Sequence, residues 1–259
     1  MPVLNEVGHV RPLWLRIAAA MGTRPFHVCF VDDGSVDGTV ETLRALQQED
    51  SRVHVIARVK TQRGSQRGGA LYAAMRWGLE DRDNGVFVEM DGDLSHQPEE
   101  LSRGLALIDS GACDVAIASK YLEGSTVTNR PWGRLALSSV CNLAVRALLS
   151  PSVRDYSNGY RFYSRRAAAL VAGARIRYGS PIYLTEVMAL WLASGLRIRE
   201  FPSTYIGRNE GLSKLRKRDL AKAALAVFEI AIQYRLGFRS GHSAVTMAVT
   251  PAPSDIDGL

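Results

Sequence analysis

Val86-Phe87-Val88-Glu89-Met90-Asp91-Gly92-Asp93-Leu94-Ser95-His96-Gln97-Pro98 is the stretch on which the fold and the chemistry of this chain turn. Its apolar start reads as a short buried strand. Pro98 opens a helix to Ile108, since proline suits a helix's first turn. Between them Asp91 and Asp93 stand two residues apart at the strand's end, where both can converge on one hard cation. Mg²⁺ or Mn²⁺ is typically held by one or two carboxylates plus the oxygens of a bound diphosphate. The pattern points to an enzyme that handles a nucleotide diphosphate. A solvated acidic turn is the alternative, because Asp and Gly favour turns.

The same strand–loop–helix unit recurs on either side. Phe26–Val31 reads as a strand and Gly38–Gln48 as a helix. Val53–Ile56, Gly69–Leu79 and Asp114–Ser119 follow as strand, helix and strand. This alternation predicts an α/β, Rossmann-like, mostly parallel sheet flanked by helices. Ligands in such sheets bind beyond the carboxyl ends of the strands. Asp32-Asp33 and Asp91-Gly92-Asp93 both fall there. The second half is less regular: helix Trp132–Leu149, strand Tyr160–Tyr163, helix Leu184–Ala193, strand Leu196–Phe201 and helix Leu220–Tyr234. The expectation is one domain over 1–237, with a nucleotide half (1–120) and an acceptor half (121–237). The Ser/Pro/Thr-rich tail, 238–259, is expected to be disordered.

Composition narrows the partners. Of 259 residues, 46% are hydrophobic and 22% charged, which is ordinary globular usage with enough material for a sizeable core. The net charge of +6 suits an anionic partner such as a nucleotide or phospholipid. No nucleic-acid motif accompanies it, so nucleic acid is not expected. Cys29, Cys113 and Cys141 are far apart, show no metal-ligand spacing and read as reduced thiols. No cationic segment with an apolar core opens the sequence, and no run reaches the ~18 apolar residues of a membrane span. The expectation is a cytoplasmic protein, soluble or peripheral.

Other segments carry weaker signals. In Asp32-Asp33-Gly34-Ser35-Val36-Asp37-Gly38-Thr39 an acidic residue can bond a nucleoside, whereas Asp37-Gly38-Thr39 reads as a turn with a helix cap. Gly64 to Ala70 is a glycine-rich lead into a helix, able to cradle phosphate or merely to bend. Arg130, Arg134 and Ser138 are spaced for one helical face. With Arg161, Arg208, Ser213 and Lys214 they supply cations and hydroxyls suited to phosphate, although each alone also reads as an ordinary surface residue.

As an ordered set these segments resemble family 2 glycosyltransferases of the GT-A fold, and within them the polyprenyl-phosphate (dolichol-phosphate) mannosyltransferases. The carriers are Pro2-Val3-Leu4-Asn5-Glu6, Asp32-Asp33-Gly34-Ser35-Val36-Asp37-Gly38-Thr39, Met90 to Pro98, and Arg208-Asn209-Glu210-Gly211-Leu212-Ser213-Lys214. The resemblance implies that Pro2, Asn5 and Glu6 line the nucleobase and ribose pocket and that Asp33 contacts the nucleoside. It implies Asp91 and Asp93 on the divalent cation, with Gln97 nearby. Arg134, Ser138, Arg161 and Arg208 would take the acceptor phosphate, and Lys214 would lie on a mobile loop over the donor. Asp91, Asp93, Arg134 and Arg161 would thus carry catalysis. The chain departs from the family at Lys120, where Arg is usual, at Ser157-Asn158-Gly159-Tyr160-Arg161, and around Gly68. In the family a buried central strand precedes Pro-x-x-Asn-Glu. The expectation is therefore a reading frame starting upstream, with Met1 internal, and a chain that is unstable without that strand.

The implied reaction is inverting transfer of a sugar, mannose from GDP-mannose, to a polyprenyl monophosphate. A phosphate monoester is mostly dianionic at pH 7, so it needs no strong base. The alternative keeps the fold but uses a soluble hydroxyl acceptor and a UDP-sugar such as UDP-glucose; Glu186 would then be a candidate base, or else a structural partner of a nearby Arg. A catalytically silent nucleotide-binding protein is a third reading, which Asp91 and Asp93 disfavour. The helix Leu220–Tyr234, preceded by Lys214, Arg216, Lys217 and Arg218, reads as amphipathic and suits an anionic membrane surface or a core-facing position.

Overall fold

The strand–helix alternation of the first half is present in the computed structural model of the protein, which describes residues 1–58, 67–174, 176–179, 182–207 and 217–239. Strand β1 (Pro2–Val3), helix α1 (Val7–Met21), β2 (Val28–Asp32), α2 (Thr39–Glu49) and β3 (Val53–Ala57) come first. They are followed by α3 (Arg67–Glu80), β4 (Val86–Glu89), a 3₁₀ turn at Pro98–Glu100, α4 (Leu101–Asp109) and β5 (Val115–Ser119). The second half comprises β6 (Thr126–Thr128), α5 (Trp132–Leu148), β7 (Arg161–Ser164), α6 (Arg165–Gly173), α7 (Tyr183–Ala193), β8 (Ile198–Pro202), β9 (Thr204–Ile206) and α8 (Lys217–Arg239).

Every residue of β2 and β5 is buried, as strands covered on both faces should be. The strand pairing is mostly parallel, as expected, but it is divided among three sheets and β7 runs against its neighbours. β1, β2 and β3 form a parallel set, and β4, β7, β5 and β8 a second set in which β7 runs antiparallel to both neighbours. β6 and β9 pair separately. β1 pairs with Val31 and Asp32 and the Met1 amino group donates to Cys29 O (2.7 Å), and beyond them the edge of β2 at Val28 faces β4 across a gap. A cavity of about 410 Å³ fills that gap, lined among others by Val28, Cys29, Leu71, Met75, Val88 and Leu105.

Helix α1 was not anticipated, although Val10, Leu13, Trp14 and Ile17 form its buried stripe at helical spacing. Pro12 inside it and the lack of a side-chain N-cap hide the signal. Helix α6 begins where the Ser164 hydroxyl accepts a hydrogen bond from Ala167 N (3.3 Å) and buries Ala167, Ala168 and Val171. Helix α8 is apolar on two sides. Ala226, Ile230 and Ala231 are buried, while Leu225, Phe228 and Ile232 are exposed at 59%, 52% and 40%. Among the described residues no helix is long and apolar enough to cross a membrane. The tail from 240 onward lies outside the described residues, and 238–239 close α8.

Candidate active site

Two loops meet at the carboxyl ends of β1 and β2. Asn5, with φ 56°, donates its backbone N–H to Ser35 Oγ (2.8 Å), and its side-chain oxygen accepts from Val36 N (2.9 Å). Glu6 N donates to Thr39 Oγ1 (2.8 Å), and the Glu6 carboxylate meets His9 Nδ1 at 2.7 Å. Asp32 holds the turn itself, accepting from Gly34 N (2.8 Å) and Ser35 N (3.0 Å). Asp37 accepts from Thr39 N (3.1 Å), closing the turn foreseen there, while Gly38 is the N-cap of α2. Asp33, buried, is paired with Arg58 Nη1 at 2.8 Å. A side chain on Gly92 would strike Val3, so the acidic loop after β4 lies directly against this pair of loops.

His96 fixes the acidic loop. The Asp91 backbone N–H donates to His96 Nδ1 (3.1 Å), and His96 Nε2 lies 2.9 Å from Asn158 Oδ1. Nδ1 is therefore the acceptor and Nε2 carries the proton. Burial lowers the imidazole pKa, so this ring is neutral at pH 7. It stacks on Tyr160 at 5.1 Å between centroids. Asn158 in turn donates to Ala118 O. Asp93 accepts from Ser95 N (3.0 Å) and Ser95 Oγ (2.6 Å) across the left-handed turn at Leu94 (φ 62°). Gln97 is drawn elsewhere, its side-chain oxygen accepting from Arg16 Nη2 (2.7 Å).

Asp91 Oδ1 is buried and receives no well-aligned hydrogen bond, but it is ion-paired with the Arg67 guanidinium. Arg67 also reaches Glu89 Oε1 (3.1 Å) and Tyr183 OH (3.2 Å). Glu89, at the end of β4, is buried and takes the hydroxyls of Tyr163 and Tyr183. Burial beside that carboxylate drives both tyrosine pKa values far up, so both are donors at any working pH.

The opposite wall is basic. Lys120 Nζ lies 5.1 Å and the Arg130 guanidinium 5.8 Å from the Tyr205 ring centre, and Tyr205 packs edge-on to His96. Burial lowers the Lys120 pKa, with Arg130 adding to the shift and Asp155 opposing it. Ser138 Oγ is 3.0 Å from Tyr121 OH. The backbone of Arg134 lies in α5; its side chain, with Arg208, Ser213 and Lys214, lies outside the described residues.

One expectation is corrected. Arg161, assigned to the acceptor phosphate, is 0% exposed and donates to the backbone oxygens of Asn158 (2.8 Å), Leu184 (3.0 Å) and Tyr156 (3.0 Å). It begins β7, and its side chain lies on the sheet face it shares with Tyr163, which is covered by Trp191. Of the two readings of Glu186, the structure has the structural one: it accepts from the backbone N–H groups of Arg177 (3.0 Å) and Tyr178 (3.1 Å) and lies 3.8 Å from Arg177 Nε. Glu89, Arg67 and Tyr205 join the site beside Asp91 without having been singled out for it. Lys120 and Arg130, also in the site, carried a signal, Lys120 as a family departure and Arg130 by its spacing with Arg134 and Ser138; Tyr205 carried none.

The donors fit a divalent cation in one specific way. Among the described residues no three His, Cys, Asp or Glu side chains cluster as a self-contained metal centre. Two carboxylates, one with a buried oxygen held by the Arg67 ion pair and by no well-aligned hydrogen bond, instead suit an ion that takes its other ligands from a diphosphate.

The chain is similar in sequence and in fold to known proteins. A polyprenol monophosphomannose synthase of Mycolicibacterium smegmatis is 39% identical over 213 residues, covering 81% of this chain and 78% of that protein. An undecaprenyl-phosphate mannosyltransferase of Micrococcus luteus is 37% identical over 219 residues, covering 83% and 85%. Among solved structures, glucosyl-3-phosphoglycerate synthase from Mycobacterium tuberculosis, in complex with Mn²⁺, UDP-glucose and phosphoglyceric acid, superposes with a TM-score of 0.64 at 16% identity. That match covers 89% of this chain and 77% of the other, and speaks for a shared GT-A fold. The sequence pattern named Glycosyl transferase family 2 matches residues 1–170, and the chain belongs to that family.

Proposed function

We propose that the chain transfers mannose from GDP-mannose to a polyprenyl monophosphate, with inversion at the anomeric carbon and with Mg²⁺ or Mn²⁺ at Asp91 and Asp93. The observation that carries this is the opposition of charges across one site: the buried Asp91 oxygen on one wall, Lys120 and Arg130 on the other. The bound ion would neutralise charge on the leaving diphosphate. Pro2, Asn5, Glu6 and Asp33 would bind the nucleoside at the loops beyond β1 and β2. On the basic wall, Lys120 and Arg130 join Arg134, Ser138 and Arg208 as ligands of the acceptor phosphate, and Lys214 would act on the donor. The acceptor enters as a dianion, so orientation by these groups replaces a general base. Arg161 holds the loop before β7 from beneath.

The test is product formation from radiolabelled GDP-mannose and UDP-glucose, with and without polyprenyl phosphate. Label from GDP-mannose should enter the organic phase only with the lipid, and EDTA should abolish it. Transfer to water-soluble product alone, or from UDP-glucose alone, would replace this reading with the soluble-acceptor one.

A lipid acceptor requires a membrane surface. Trp132, Val140 and Leu143 on α5 are 84%, 65% and 61% exposed, and α5 neighbours α8 with its exposed Leu225, Phe228 and Ile232. Large exposed apolar side chains on adjoining helices mark an interaction surface. We infer peripheral binding at the cytoplasmic face of a membrane. The intact protein should float with anionic liposomes, and Phe228→Glu should reduce the floated fraction severalfold. Failure of the wild-type protein to float would refute the membrane assignment.

A further inference from the structure

Arg67 is the first residue of a 14-residue helix, where the aligned backbone dipoles disfavour a cation. Two carboxylates hold it there. Nη2 is 3.1 Å from Glu89 Oε1, and Nη1 is paired with Asp91 Oδ1, a carboxylate oxygen of the residue assigned to the divalent ion. Nε is 3.2 Å from Tyr183 OH. Gly159 makes the room, since a side chain there would collide with the guanidinium. One positive group therefore covers the Asp91 oxygen and keeps a second carboxylate, Glu89, on which to remain when Asp91 is taken.

We propose that Arg67 is a resident substitute for the metal: it neutralises Asp91 in the empty enzyme, and a divalent cation must displace it. This rests on the assignment of a cation to Asp91. Displacement leaves Arg67 on Glu89 and Tyr183 and breaks only its contact with Asp91. The competition weakens metal binding to the free enzyme. A diphosphate brings further ligands for the ion and overcomes the competition, so metal and donor load together and the free enzyme holds little metal.

The experiment is Mn²⁺ binding followed by electron paramagnetic resonance of the free ion, without sugar donor or lipid, then with GDP. Arg67→Met should bind Mn²⁺ about tenfold more tightly than wild type, within the range of ordinary coupling between sites. The gain in Mn²⁺ affinity on adding GDP should shrink in the variant. Arg130→Met removes a charge from the same site without touching Asp91, so it should give a clearly smaller gain. Equal gains in the two variants would mean a general field effect and overturn the proposal. Unchanged or weaker Mn²⁺ binding in Arg67→Met would overturn it as well. Absence of Mn²⁺ binding by every protein, with GDP present, would overturn the cation assignment itself. Should Arg67→Met fail to fold, the wild-type protein decides. The Arg67 Nε resonance, identified by its loss in Arg67→Lys, should shift on saturation with Mg²⁺ and GDP, and a fixed resonance would refute displacement.

Discussion

Asp91→Asn is expected to lower kcat for sugar transfer by about three orders of magnitude, several kcal/mol of stabilisation at the leaving group. The substitution is nearly isosteric and leaves the fold in place. The backbone N–H of residue 91 still donates to His96 Nδ1, which still rests on Asn158. Arg67 loses one partner but keeps Glu89 and Tyr183. The thermal midpoint should therefore move by no more than a few degrees while turnover collapses. The concentration of Mg²⁺ needed for half activity should rise in parallel, because an amide oxygen is a poorer ligand for a hard dication than a carboxylate. Turnover within threefold of wild type at saturating metal would remove Asp91 from the reaction. Asp93→Asn should also be impaired, but it perturbs the loop as well, since Asp93 accepts two hydrogen bonds from Ser95.

Local chemistry made the acidic loop readable. A strand of apolar residues, a turn rich in Asp and Gly, and a proline in the next helical turn are short-range signals, and β4, Asp91 and Pro98–Glu100 lie where they predict. Strand β7 was placed within one residue, yet its antiparallel direction was not readable, because direction depends on partners far along the chain. Glu89 and Tyr183 are 94 residues apart, and neither position carries a local sign that they meet. Nor does Arg67, which reads as an ordinary basic residue entering a helix. β6 and β9 are three residues each, too short for alternation to show. Residues Arg208 to Lys214, legible as a motif, lie outside the described residues. Arg161 shows how a motif can mislead. Its place after Tyr156-Ser157-Asn158-Gly159-Tyr160 suggested a phosphate ligand at a strand's start, but its side chain enters the covered face of that strand. Read by alternation, Arg161 shares a face with Tyr163, which is buried against Trp191.

Arg161→Met should accordingly act on stability and not on acceptor recognition. The guanidinium is fully buried and donates to three backbone oxygens, those of Asn158, Leu184 and Tyr156, while stacking 5.8 Å from the Trp191 ring. Methionine fills much of the volume but supplies no donor. Three buried carbonyls then lose their partner, and Glu89, directly opposite in the β4–β7 pairing, loses a positive neighbour. Removing one side of a buried charged network costs about 3–5 kcal/mol. That is a large fraction of the roughly 5–15 kcal/mol by which a domain is stable. Urea titration should show this loss, and Arg161→Lys should recover only part of it, since one ammonium cannot span all three oxygens. The two roles proposed for Arg161 differ in a second readout. A ligand of the acceptor phosphate, once removed, raises KM for the polyprenyl phosphate steeply and leaves the unfolding midpoint nearly unchanged. A buried tie lowers the midpoint and leaves KM of the folded fraction within a few-fold of wild type. The hydrogen bonds require the second pattern, and a normal midpoint with a steeply raised KM would return Arg161 to the acceptor site.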